Sequence, residues 1–130
     1  MFFALHIFLM AISTLGILAG VGAAMFFRSH KNWLKIHKTI NSSSLLLAVA
    51  GIFSAFIYTM NSSAKHLSGL HPWIGLAAAL STAAAFLLGF YQFKAKNKPA
   101  ARTAHRFGGR LGVVMLLTAV ILGLKLIHVI

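Results

Sequence analysis

Residues 70–93 read LHPWIGLAAALSTAAAFLLGFYQF and decide the fold, because they carry no charge and can cross the ~30 Å hydrocarbon core of a bilayer as a helix. Residues 2–27, 34–60 and 107–130 form three further apolar segments of similar length. Helices are expected, since an open sheet would leave backbone groups unpaired in lipid. The sequence therefore predicts an all-α membrane protein, an up-down bundle of four transmembrane helices forming a single domain over residues 1–130.

The composition excludes several classes of protein. Hydrophobic residues make up 59% of the chain, and Asp, Glu and Cys are absent. Disulfides, thiolate metal sites, covalently attached c-type haem, Ser-His-Asp triads and carboxylate metal sites are therefore excluded. A formal charge of +12 would suggest nucleic-acid binding in a soluble protein. Here the basic residues lie mostly in short loops between apolar segments, which predicts contact with membrane lipids and no nucleic-acid partner.

The distribution of charge predicts the orientation in the membrane. Ten of the twelve Lys and Arg residues lie on one face, in the loops that follow the first and third segments. They are Arg28, Lys31, Lys35, Lys38, Lys94, Lys96, Lys98, Arg102, Arg106 and Arg110. The other face carries only Lys65 and Lys125 besides the N-terminal amine. The positive-inside rule makes the basic loops cytoplasmic and places both termini outside, which we interpret as a bacterial inner-membrane protein.

One histidine lies at the N-terminal end of each apolar segment: His6, His37, His71 and His105. Successive helices run in opposite directions, so the first and third segments begin at one membrane face and are diagonal partners in an up-down bundle. The same holds for the second and fourth segments. This topology predicts that His6 pairs with His71 and His37 with His105, in opposite leaflets. Imidazole is a good iron ligand, so the two pairs predict two non-covalent bis-histidine b haems, with the four histidines as the metal ligands.

Small residues are expected beside a bulky porphyrin. Gly75 and Gly109 each lie one helical turn after a predicted ligand, on the same face of the helix, and are assigned to haem binding. Gly16 and Gly20 fit either haem clearance or the close helix packing that such spacing gives in membranes. The interval from the first to the second of these histidines nearly equals the interval from the third to the fourth, which indicates a weak internal repeat.

Polar residues near the predicted ligands are candidates for binding the haem periphery. Asn41, one turn after His37, could hydrogen-bond a ligand or a propionate, or simply a backbone carbonyl. The basic residues nearest the histidines on the cytoplasmic side are candidate counter-ions for the propionates, above all Lys38, Arg106 and Arg110. Lys65 and Lys125 are candidates on the outer side.

Three other histidines test this assignment. His30 and His66 are interpreted as loop residues. His128 lies on the same outer side as His6 and competes with it as a ligand, because His6 is close to the start of the chain, where a helix end frays.

Four short motifs contain the predicted ligands: LHIFLM at 5–10, WLKIHKTIN at 33–41, LHPWIG at 70–75 and AHRFGGRLG at 104–112. In these motifs the chain resembles the cytochrome b561 superfamily, especially the four-helix cores found beside DOMON domains. The resemblance implies one b haem between the first and third core helices and another between the second and fourth. It therefore implies the same histidine pairs that the topology predicts.

We expect transmembrane electron transfer, either as an oxidoreductase or as a non-catalytic subunit of a larger membrane complex. Quinone, a cytochrome or another redox protein is the expected partner. The alternative is a membrane anchor subunit of a redox enzyme that holds one haem or none. The number of haems per chain discriminates between the two.

Overall fold

The computed structural model describes residues 1–62 and 66–130, so Lys65 lies outside the described residues. It contains four α-helices: α1 (Phe2–Phe26), α2 (Trp33–Met60), α3 (Leu70–Tyr91) and α4 (Lys98–Leu126). No strand occurs among the residues that the structure describes. Each helix is long and apolar enough to cross a membrane. The predicted all-α class with four membrane-length helices is confirmed.

The chain divides into two compact units, residues 1–68 and residues 69–130. The first contains α1 packed against α2, and the second contains α3 packed against α4. Short connections make each unit an antiparallel hairpin, so the up-and-down order is observed within each unit. The assembly of both hairpins into one bundle, and with it the single domain, stays a prediction.

The first hairpin is held together by small residues. A Cβ atom on Gly16 would collide with the Ser44 side chain, and one on Gly20 would collide with Asn41. Ser13 is fully buried, and its hydroxyl donates a hydrogen bond to the Ser44 carbonyl at 2.8 Å. Helices in lipid associate through such close approaches rather than through the hydrophobic effect. Of the two roles considered for Gly16 and Gly20, close packing is the one observed.

The second hairpin uses the same kind of contact. A Cβ atom on Gly112 would lie 2.9 Å from the Thr82 hydroxyl, and one on Gly108 would lie 3.6 Å from the Ala85 Cβ. Ala78 and Ala85 of α3 are buried. Large apolar side chains such as Leu80 and Leu87 are instead exposed, as expected for residues that face lipid.

The helix α4 begins at Lys98, whereas the apolar segment was placed at 107–130. The difference arises because hydropathy detects the part of a helix that lies in lipid and not its polar extension. The Asn97 side chain accepts a hydrogen bond from the Ala100 amide at 3.1 Å, and Pro99 lies in the first turn. A capping side chain and a proline in the first turn are both typical of helix N-termini. At the other end α4 stops at Leu126, before residues 127–130.

Candidate metal centre at four histidines

All four predicted ligands make the same hydrogen bond. In each, the Nδ1 atom lies next to a backbone carbonyl oxygen of the partner helix in the same hairpin. The distances are 2.9 Å from His6 to Gly51, 2.8 Å from His37 to Gly20, 2.9 Å from His71 to Ala119 and 2.8 Å from His105 to Ala85. The four rings are half-buried. The same hydrogen bond occurs twice in each hairpin, so it is a regular feature of how the two helices of a hairpin pack.

This hydrogen bond determines which ring nitrogen can bind a metal. A carbonyl oxygen only accepts, so the proton must lie on Nδ1, which donates it. In the neutral ring the lone pair then lies on Nε2, the tautomer that metal-ligating histidines commonly show when a carbonyl orients them. The hydrogen bond at Nδ1, which each hairpin shows twice, therefore leaves all four histidines in a tautomer that suits haem iron. Each imidazole could therefore bind a haem iron through Nε2 and keep its Nδ1 hydrogen bond in place.

The two predicted ligands of the first hairpin, His6 and His37, lie at different levels along the helices. Gly20, which accepts from His37, lies about four helical turns after His6 on α1. Gly51, which accepts from His6, lies the same number of turns after His37 on α2. Measured on either helix, the two levels are about 21 Å apart at a rise of 1.5 Å per residue. One iron therefore cannot take both of its axial ligands from this hairpin.

The second hairpin repeats this register. Ala85 follows His71, and Ala119 follows His105, at the same interval in the sequence as Gly20 follows His6. Each of the two alanines accepts from the histidine of the opposite helix. The internal repeat suggested by the spacing of the histidines therefore has a structural counterpart, because the two hairpins use the same hydrogen bond at the same separation.

The acceptor carbonyls belong to small residues, and the sequence pattern of the histidines did not predict this role for them. Glycine or alanine lets the imidazole approach the backbone of the opposite helix. In the second hairpin a further glycine lies one turn beyond each acceptor. A Cβ on Gly89 would lie 2.9 Å from the His105 ring, and one on Gly123 would lie 3.0 Å from the His71 ring. The sequence does contain a signal, since a small residue follows each of the four histidines at one constant interval.

Gly75 and Gly109 have open space where a side chain would begin. No heavy atom of the described residues lies within 4 Å of a Cβ built on either glycine, apart from the near neighbours in its own helix. Their role in haem binding stays a prediction.

Asn41 contacts His37 at two atoms. Its amide nitrogen donates to the His37 carbonyl at 2.8 Å and lies 3.0 Å from the Nδ1 atom of the ring. It can donate to Nδ1 only in the tautomer that has its proton on Nε2, and in that tautomer Nε2 cannot bind iron. Asn41 therefore competes with the hydrogen bond from His37 to Gly20.

We expect Asn41→Leu to lower the reduction potential of a haem held by His37, by on the order of 50 mV, where ~59 mV corresponds to tenfold for a one-electron couple. Without the competing amide, Nδ1–H donates more strongly to the carbonyl, and the more basic imidazole favours ferric iron. Spectroelectrochemical titration measures the shift. Asn61→Leu is the matched control, because Asn61 makes the same amide-to-carbonyl bond with Ile57 at 3.0 Å, away from His37. An unchanged or higher potential in Asn41→Leu would contradict this role.

The predicted counter-ions lie on two helices. Lys38 is half-buried on α2, and Arg106 and Arg110 are exposed on α4. The α4 residues belong to a row at every fourth position, whose members are Lys98, Arg102, Arg106 and Arg110. The chain has no carboxylate side chain, so anions that balance this row come from outside the protein or from a cofactor.

The remaining histidines have different surroundings. His30 is exposed, and its Nδ1 accepts a hydrogen bond from the backbone N–H of Asn32 at 3.3 Å. His66 is exposed with its ring 4.9 Å from the Phe56 ring. His128 is exposed beyond the end of α4, with a backbone φ of 56°.

The described residues contain no cluster of three or more His, Cys, Asp or Glu side chains that could hold a metal ion. Haem iron needs no such cluster, because the porphyrin supplies four ligands and two axial histidines complete the set.

Comparisons with known proteins agree with this chemistry. A family model described as eukaryotic cytochrome b561 matches residues 1–129, and the resemblance found in the motifs is thereby confirmed. No curated protein and no solved structure matches the chain. Since the match covers nearly the whole chain, this membrane-spanning protein belongs to the cytochrome b561 family, in which b-type haem carries electrons across the membrane.

Proposed function

We propose that this cytochrome b561 transfers electrons through two non-covalent bis-histidine b haems. One haem takes His6 and His71 as axial ligands, and the other takes His37 and His105. The observation that carries the proposal is the hydrogen bond from each Nδ1 to a backbone carbonyl. Four histidines oriented in the same tautomer can serve as two pairs of iron ligands. Isolated polar histidines at the membrane interface would not need this shared orientation.

The pairing follows from the separation of the ligand levels. Within a hairpin the two levels are about 21 Å apart, so each haem must take one ligand from each hairpin. Helix order in an up-down bundle then favours the diagonal partners. The surroundings of the histidines also favour His6 over His128, because His6 lies within α1 and is anchored to Gly51, whereas His128 lies beyond the end of α4.

The protein residues would have three tasks. The carbonyls of Gly20, Gly51, Ala85 and Ala119 fix the orientation and basicity of the imidazoles. Gly75 and Gly109 leave room for the macrocycle, and apolar helices exclude water from it. Lys38, Arg106 and Arg110 neutralise propionates. Bound haem supplies the one-electron iron couple.

The sidedness is part of the proposal. Ten basic residues on one face favour a cytoplasmic location for the loops after α1 and α3, with both termini on the opposite side. The bacterial inner membrane expected from the sequence has no support from the family match, whose description is eukaryotic. A membrane quinone or a redox protein is the proposed electron partner, and the chain would act alone or as a subunit of a larger complex.

The first test is a haem count. We expect the purified protein to show two low-spin b haems per chain in its oxidised and dithionite-reduced spectra and in a pyridine haemochrome assay. One haem would mean that a pair is wrongly assigned. If expression with adequate haem supply yields none, the proposed electron path is wrong and the membrane-anchor alternative is left.

A further inference from the structure

The first hairpin contains an apolar groove at the turn between α1 and α2. Its volume is about 460 Å³, within the range of small-ligand sites. Its lining comprises Ala19, Gly22, Ala23, Phe27, His30, Trp33 and Ile36. None of the four predicted haem ligands lines it, so the proposed electron path does not account for it.

The interior of the groove suits a hydrocarbon chain. A Cβ built on Gly22 would meet no heavy atom of the described residues within 4 Å, apart from near neighbours in its helix. Ala19 and Ala23 lie on the same side of α1, and Phe27 and Trp33 provide aromatic walls. Small residues between large rings leave a channel that apolar atoms can fill.

A positive charge is fixed beside this channel. The Nε of Arg28 donates to the Ala24 carbonyl at 2.6 Å, and the guanidinium carbon lies 5.9 Å from the centre of the Trp33 ring. Lys31 follows in the same turn and is exposed. No carboxylate side chain exists in the protein to neutralise these cations. The neutralising group must therefore come from the ligand or the solvent.

We propose that this groove binds one anionic phospholipid, with an acyl chain on Gly22 and the phosphate at Arg28 and Lys31. The combination of an apolar channel and two cations in the adjacent turn matches an amphiphile with a negative head. A neutral quinone would fill the channel but would leave both cations unused. The protein would then bind a specific lipid in addition to its proposed role in electron transfer.

The second hairpin provides an internal comparison. His6 and Gly20 of α1 correspond to His71 and Ala85 of α3 in the repeated hydrogen bonds. The same register places Leu87 where the first hairpin has Gly22. A leucine would occupy the channel, so the proposed site is specific to the first hairpin.

Native mass spectrometry of the haem-loaded protein tests the site, with equimolar phosphatidylglycerol and phosphatidylcholine added in mild detergent. We expect the wild type to retain one phosphatidylglycerol with about tenfold preference. Gly22→Leu should abolish retention, while Leu87→Phe, its matched control in the second hairpin, should not. The double variant Arg28→Gln/Lys31→Gln should lose the preference for phosphatidylglycerol. Lys94→Gln/Lys96→Gln, which removes the same charge from the other basic loop, should keep it.

Equal retention of both lipids by the wild type would overturn the proposal. Undiminished retention by both Gly22→Leu and the Arg28/Lys31 double variant would do the same. In a parallel sample with decylubiquinone, retention of the quinone in place of the lipid, lost in Gly22→Leu, would assign the groove to a quinone and overturn the lipid site. Haem absorption recorded on each sample reports separately on the electron path, because none of the four proposed haem ligands lines the groove.

Discussion

Alanine at both His6 and His71 is expected to leave one low-spin haem per chain, whereas alanine at both His6 and His37 is expected to leave none. The first double variant removes both ligands of one proposed haem and spares the other. The second removes one ligand from each. An iron with one remaining histidine loses its six-coordinate low-spin state, so haem content by pyridine haemochrome and spin state by electron paramagnetic resonance together measure the outcome.

The reciprocal double variants are the controls for this result. Alanine at His37 and His105 should again leave one low-spin haem, and alanine at His71 and His105 should leave none. Alanine at His128 should leave both haems, because His128 has no part in the proposed pairs. One low-spin haem surviving in a variant that lacks His6 and His105 would contradict diagonal pairing and favour a different arrangement of the hairpins.

Gly89→Leu is expected to weaken binding of the haem proposed at His105 by at least about tenfold, the lower end of the range for changes around metal ligands. A Cβ at this position already lies 2.9 Å from the His105 ring, so the rest of a leucine must displace the imidazole. Displacement breaks the hydrogen bond to Ala85 and turns Nε2 away from its binding direction. Haem content per chain, measured by absorption after purification, should fall from two towards one.

Replacing other glycines with leucine distinguishes displacement of the imidazole from a general loss of stability that any glycine-to-leucine change in a helix could cause. Gly22→Leu should keep both haems, because a Cβ on Gly22 meets open space among the described residues. Gly123→Leu should also remove one haem, in this case the one held by His71, whose ring lies 3.0 Å from the position of the new Cβ. Retention of two low-spin haems by Gly89→Leu would show that the ring does not depend on this close approach.

The sequence was sufficient to predict the helices, because charge-free segments of membrane length have few other structures available to them. The position of one histidine near the start of each apolar segment also identified the four histidines that share a hydrogen bond to a backbone carbonyl, and their role as haem ligands stays a prediction. The sequence did not predict the start of α4, since Lys98 and Arg102 look like loop residues when only hydropathy is considered. The side-chain cap at Asn97, followed by Pro99, indicates the helix start better than hydropathy does.

The backbone partners of the histidines were harder to predict for a different reason. A carbonyl group is present at every residue, so composition does not mark Gly51 or Ala119 as acceptors. Their selection depends on the register between antiparallel helices, which packing at residues such as Gly16 and Gly112 determines. Gly89 and Gly123 were missed for the same reason, because their importance lies in contacts with rings on the opposite helix.

The separation of about 21 Å between the two histidine levels has an electrical consequence. An electron that passes from one level to the other crosses roughly two-thirds of a ~30 Å hydrocarbon core. A full crossing of one charge is worth ~2.3 kcal/mol per 100 mV of membrane voltage, so this step is worth roughly 1.5 kcal/mol per 100 mV. A membrane voltage of about 100 mV would then change the equilibrium between the two proposed redox centres by about tenfold, and a polarised membrane would favour one direction of electron flow.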